Sequence, residues 1–196
     1  MWNKDQDYEK DWWGTCQNTL NEEMKQLKYL EKMGLKFFHN TKSPYNINME
    51  GKSVLDIGGG PVSMLLKCEN IKEGVVVDPC DYPDWVMGRY QIAGITFIKS
   101  RGEDITLPQT FDEVWIYNVL QHCEDVQKVI ENAKKCSKVI RIFEWVDNGI
   151  SPGHPNNLTE LDLNKWLGGE GKVEWLNEFN LKGKCYHGIF RGDKYE

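Results

Sequence analysis

The sequence predicts an α/β fold: a doubly wound sheet of five parallel strands, a terminal antiparallel pair at one edge, and a helical arm at the N-terminus. Three observations carry this. Short continuous apolar runs recur between residues 53 and 143 with helix-length stretches between them, the pattern of parallel strands buried on both faces. The first run stops at Gly58-Gly59-Gly60-Pro61, a turn in which backbone can approach a ligand without a Cβ in the way. After residue 167 the alternation ends, and two strand-like runs follow each other with only a short Asn-, Gly- and Lys-rich link, too short for a crossover helix.

In chain order, Asp11-Trp12-Trp13-Gly14 forms an aromatic segment that either packs on the core as an arm or serves as a flap over a ligand. Thr19-Leu20-Asn21-Glu22 has capping-box spacing, so a helix is expected to start at Thr19. Leu20, Met24, Leu27, Leu30 and Met33 would form its buried stripe, and Gly34 its stop. Residues 53–57 read as the first strand and 62–67 as a helix, with Pro61 suited to its first turn. Strands follow at 75–77 (ending at Asp78), 95–98, 113–118 and 139–143, with a helix over 126–136 before the last of them. Thr159 caps a helix over 161–167, with Asp162 in the capping-box position. The closing strands are 172–175 and 186–191.

The bulk properties exclude several classes. With 196 residues there is room for one domain and little for two. A net charge of −6 argues against a large nucleic-acid footprint, which needs clustered Lys and Arg. The first residues lack the apolar core of a signal peptide, and no apolar run reaches the roughly 20 residues of a membrane span. A cytoplasmic protein with no membrane partner is expected. The six cysteines are scattered without a C-x-x-C pair, so reduced thiols and no metal site are expected.

In a doubly wound sheet, ligands bind beyond the carboxyl ends of the strands where the winding reverses. Asp56 and the glycines Gly58, Gly59 and Gly60 end the first strand; the Asp56 carboxylate can accept hydrogen bonds or attract a cationic amino group. Asp78, 20 residues beyond Gly58, ends the second and can accept both hydroxyl protons of a ribose. Glu103 or Asp104, in Gly102-Glu103-Asp104-Ile105, offers a carboxylate to an exocyclic amine, and Asn118 ends the fourth strand. His122, just past it, is either a general base or a cap packed over the ligand. His154 lies in the loop after the fifth strand, which is either a lid or a plain connector.

The ordered segments VLDIGGGP, VVVDP, GEDITLP and FDEVWIYNVLQH resemble the class I S-adenosylmethionine-dependent methyltransferases, especially the small-molecule group called type 11. The resemblance covers roughly residues 52–145 and, loosely, the terminal hairpin. It implies a Rossmann-like fold, S-adenosylmethionine as cofactor and a small-molecule methyl acceptor. Asp56, Gly58 and Gly60 would then hold the methionine part, Asp78 the ribose, Glu103 or Asp104 the adenine amine, and Asn118 would line the pocket below the methionine. The family often has a further glycine where this chain has Val62. Residues 1–50 would be the arm, 51–145 the cofactor-binding core, and 146–196 the lid loop, helix and closing hairpin. Trp12, Trp13 and the loop 146–158, outside the resemblance, are expected to roof the acceptor. A non-catalytic module binding the same cofactor is an alternative. A nicotinamide-dependent oxidoreductase is disfavoured, because the third glycine of a dinucleotide fingerprint falls on Ser63.

Overall fold

The computed structural model describes Trp13 and residues 16–39, 45–178 and 180–194. Its sheet has the order β6-β5-β3-β7-β8-β10-β9, built from β3 (Ser53–Ile57), β5 (Glu73–Asp78), β6 (Thr96–Lys99), β7 (Phe111–Tyr117), β8 (Ser137–Trp145), β9 (Lys172–Glu178) and β10 (Leu181–Arg191). The first five of these run parallel, and β10 is antiparallel to both β8 and β9. From β3 the chain winds outward through β5 to β6, then returns to β7 on the other side of β3. The reversal therefore falls between β3 and β7.

Strand alternation sends Leu55, Ile57, Val75 and Val77 to one face and Val54 and Val76 to the other. On the first face lie α3 (Val126–Lys135) and α4 (Glu160–Leu167), which contribute Val129, Ile130, Ala133, Leu163 and Leu167. On the second lie α1 (Cys16–Lys32) and α2 (Asp84–Ile92), with Tyr29, Leu30, Met33, Val86 and Tyr90. The α4 cap forms as its sequence implies: Thr159 Oγ1 accepts from the Asp162 amide at 3.2 Å and donates to the Asp162 carboxylate at 2.7 Å. Gly168, in the left-handed conformation, ends that helix.

Three expectations need correction. Helix α1 already includes Cys16, so Thr19 is an interior residue and no cap. Its buried stripe is Thr19, Glu22, Gln26, Tyr29, Leu30 and Met33, whereas Leu20 and Met24 are more than half exposed. The stripe keeps helical spacing but is polar at its N-terminal end, and a purely apolar reading rotates it. Residues 62–67 do not form an α-helix. Two 3₁₀ turns, Gly60–Val62 and Met64–Lys67, are separated by an extended Ser63, whose hydroxyl caps the second turn by accepting from the Leu65 amide. The segment before Ser53 is not wholly helical, since β1 (Phe37–Phe38) and β2 (Asn46–Asn48) join β4 (Cys68–Glu69) in a small second sheet.

Candidate cofactor and acceptor site

A cavity of about 100 Å³ opens at the carboxyl ends of β3, β5 and β7, where the winding reverses. Gly58, Gly59 and Gly60 line it for different reasons. Gly58 has φ +74°, and a Cβ there would stand 2.0 Å from Val119 Cγ2. A Cβ on Gly59 would stand 2.6 Å from Asp56 Oδ2. These two glycines let the loop close on its neighbours. Gly60, at φ +60°, has only the Tyr82 hydroxyl near its Cβ position, at 3.7 Å, and turns its amide to Asp78 Oδ2 at 3.1 Å.

The acids divide by position. Asp56 is fully buried behind the loop and is not part of the cavity wall. Its Oδ2 accepts from Ser63 Oγ (2.5 Å) and Tyr117 Oη (2.6 Å), and its Oδ1 has no partner among the described residues. Burial pushes its pKa up to about 7, against the lowering effect of the Ser63 and Tyr117 hydrogen bonds. Asp78 lines the cavity. Besides Gly60, it accepts from the Cys80 amide and the Tyr82 hydroxyl, each at 2.9 Å to Oδ1. Burial raises its pKa and these three hydrogen bonds hold it back. At the third strand end Glu103 lines the cavity, while Asp104 does not and ion-pairs outward with Arg101 at 3.5 Å. Glu103 Oε1 accepts the amides of Glu124 (2.8 Å) and Asp125 (3.1 Å) at the start of α3.

Asn118, at φ +54° past the end of β7, turns into the cavity, and its Nδ2 donates to Glu22 Oε1 at 3.4 Å. His122 also lines it. Its Nδ1 lies 2.6 Å from the Gly153 carbonyl, so Nδ1 carries the proton and donates, leaving Nε2 as the basic atom. The His154 ring sits 4.7 Å from the His122 ring, at 60° to it. Burial first, and His122 second, pull its pKa down to about 4, so it is neutral at physiological pH. A second cavity, of about 300 Å³, adjoins the first, sharing Trp13, Glu22, Asn118 and His122 and adding His154 to the wall. Trp12 and Gly14 lie outside the described residues.

Sequence reasoning missed Glu22, Gln26 and Tyr82, all of which line the first cavity. For Glu22 and Gln26 a signal existed: they are four residues apart and continue the line of Leu30 and Met33. Gln26 pins α1 to the glycine loop by donating to the Val62 carbonyl and accepting from Tyr45 Oη, both at 2.5 Å. Nothing comparable marks Tyr82.

A family model described as a methyltransferase domain matches residues 55–139, the stretch that carries the glycine loop, Asp78, Glu103, Asn118 and His122. Those residues match a methyltransferase domain. Among solved structures, the N-methyltransferase NodS from Bradyrhizobium japonicum is similar at 16% identity and a TM-score of 0.59, over 89% of this chain and 97% of that one. It has also been solved in complex with S-adenosyl-L-homocysteine. The 1,6-didemethyltoxoflavin-N1-methyltransferase from Burkholderia thailandensis, with 1,6-didemethyltoxoflavin and S-adenosylhomocysteine bound, is 15% identical at a TM-score of 0.56, over 72% and 71%. The YcgJ protein from Bacillus subtilis is 16% identical at a TM-score of 0.54, over 66% of this chain, which spans 65% of that protein's length. No curated protein sequence matches. Among the described residues no helix is long and apolar enough to cross a membrane.

Proposed function

We propose that the protein transfers the methyl group of S-adenosylmethionine to the oxygen or nitrogen of a small molecule. The observation that carries this is the cavity itself: within a methyltransferase domain, the glycine loop, Asp78 and Glu103 stand at three successive strand ends around one space. The residues fit that cofactor. Gly60 keeps the loop wall open, and the acceptor groups suit a ligand bearing hydroxyl, amine and ammonium donors. S-Adenosylmethionine supplies an activated methyl carbon, which an acceptor lone pair takes as the carbon–sulfur bond pair returns to sulfur.

Asp78 takes the ribose, and the remaining oxygen of Glu103, Oε2, takes the adenine amine. Asp56 holds the loop from behind through Ser63 and Tyr117. Asn118 and Glu22 lie where the methionine end and the acceptor meet, and His122 Nε2 receives the acceptor's proton. The Gly153 carbonyl plays the orienting part by holding the opposite ring nitrogen. Trp13 and the loop 146–158 roof the acceptor in the second cavity, a role supported by Trp13 and His154 lining it together. A cytoplasmic location accords with Cys68, Cys80, Cys123, Cys136 and Cys185, none of which is in a disulfide.

S-Adenosylhomocysteine should raise the melting temperature, because a ligand bound only by the native state stabilises it by mass action. NAD should not. Calorimetry that finds NAD bound and no adenosyl-sulfur ligand bound overturns the proposal.

A further inference from the structure

The second cavity has walls of uneven chemistry. Its only carboxylate among the described residues, Glu22, is already paired with Lys25 at 3.1 Å. Lys182, on β10, lines the same wall, is exposed, and makes no ion pair among the described residues. His154 adds no charge, since burial holds it neutral at physiological pH. Among the described residues, two lysines against one glutamate leave a positive charge unbalanced at Lys182. The aromatic part of the wall is equally defined. The Trp145 ring lies against the Gly183 backbone, where a Cβ would stand 3.1 Å from Cε3. Phe143 meets it edge-on at 5.3 Å. Packing against Gly183 and Phe143 therefore holds the indole where it lines the cavity.

We propose that this cavity binds a planar aromatic acceptor bearing a carboxylate, with its ring on Trp145, its carboxylate at Lys182, and its hydroxyl or amino group at Asn118 and His122 beside the cofactor cavity. The proposal rests on the methyl-transfer reading. A cationic amine would meet Lys182 with no unpaired carboxylate to balance it. A phosphate dianion calls for a second cation, and Lys25 is engaged by Glu22. A monoanion matches the single uncompensated charge. An aromatic body uses the indole face at little rotamer cost.

The test is binding, followed by tryptophan fluorescence, of three probes to protein saturated with S-adenosylhomocysteine: para-hydroxybenzoate, para-hydroxybenzamide and para-hydroxybenzylamine. The acid should bind about tenfold more tightly than the amide, the low end for a charge-assisted hydrogen bond at an exposed lysine. The amine should be weakest. Added salt should weaken the acid and leave the amide unchanged, a comparison that needs no variant. Lys182→Gln should bring the acid to the level of the amide, and Lys182→Arg should restore the preference. S-Adenosylhomocysteine affinity should be the same in all three proteins. An amide or amine that binds as well as the acid overturns the proposal, as does a preference that survives Lys182→Gln, or no binding by any probe. If S-adenosylhomocysteine itself does not bind, the methyl-transfer reading has failed, and that is seen before any probe is added.

Discussion

Asp78 accepts three hydrogen bonds from its own chain, from the Gly60 amide, the Cys80 amide and the Tyr82 hydroxyl. An ionised carboxylate has about four acceptor sites, so one remains for a ribose hydroxyl while Tyr82 stays in place. Asp78→Asn retains the shape but turns an N–H toward one of these donors. It should raise the dissociation constant for S-adenosylhomocysteine at least about tenfold, since hydrogen bonds to a charged group contribute roughly 1.5–3 kcal/mol. Titration calorimetry on a variant with native circular dichroism decides it, and an unchanged constant would make Asp78 a turn residue only. At this scale the sequence leaves the choice between Glu103 and Asp104 open. Glu103 and Asp104 are adjacent in a turn without periodicity, and only the fold shows that Glu103 faces the cavity while Asp104 faces Arg101.

Among the elements, α1 ties the arm to the site. Gln26 is buried, and both ends of its amide are engaged by partners far away in sequence, Val62 and Tyr45. Gln26→Leu leaves both of those partners unsatisfied, at a cost of about 1–3 kcal/mol each. Urea unfolding should show a loss of at least about 2 kcal/mol; a loss below about 0.5 kcal/mol, the ordinary surface range, would mean α1 is held by its apolar half alone. The strands were the legible elements, because a run such as Val54-Leu55-Asp56-Ile57 buried on both faces needs no phase. A helix needs one, and α1 was misphased where its stripe turns polar at Glu22 and Gln26. Helix α2 buries only Val86 and Tyr90 while Trp85, Met87 and Ile92 are exposed, so its sequence has no periodicity to find. Strands β1, β2 and β4, of two or three residues, fall below the length at which alternation can be read.

For the whole molecule, three buried acids, Glu144, Asp56 and Asp78, act in the same direction on how stability varies with pH. Burial pushes the Glu144 pKa from 4.5 up to about 8, against hydrogen bonds from the Val119 and Leu120 amides, and pushes Asp56 to about 7. An acid whose pKa is raised by folding binds its proton more tightly in the native state. Its contribution is complete below about pH 4.5 and is lost as the pH rises through the folded value. Stability should therefore fall between about pH 5 and about pH 8, and Glu144→Gln should flatten much of that fall, leaving the part due to Asp56 and Asp78. Urea midpoints measured across this range test it; equal slopes in both proteins would show that Glu144 does not titrate there.

The sheet order has a consequence for biosynthesis. Strand β9 pairs with β10 and with no other strand, and β10 stands between it and β8. As the chain leaves the ribosome, β9 emerges with no edge to join, and the β8 edge stays open until β10 arrives. Until then the β8 edge and strand β9 are unpaired together. The charged residues of β9, Lys172, Glu174 and Glu178, guard one of them against pairing with a neighbouring chain until the hairpin closes.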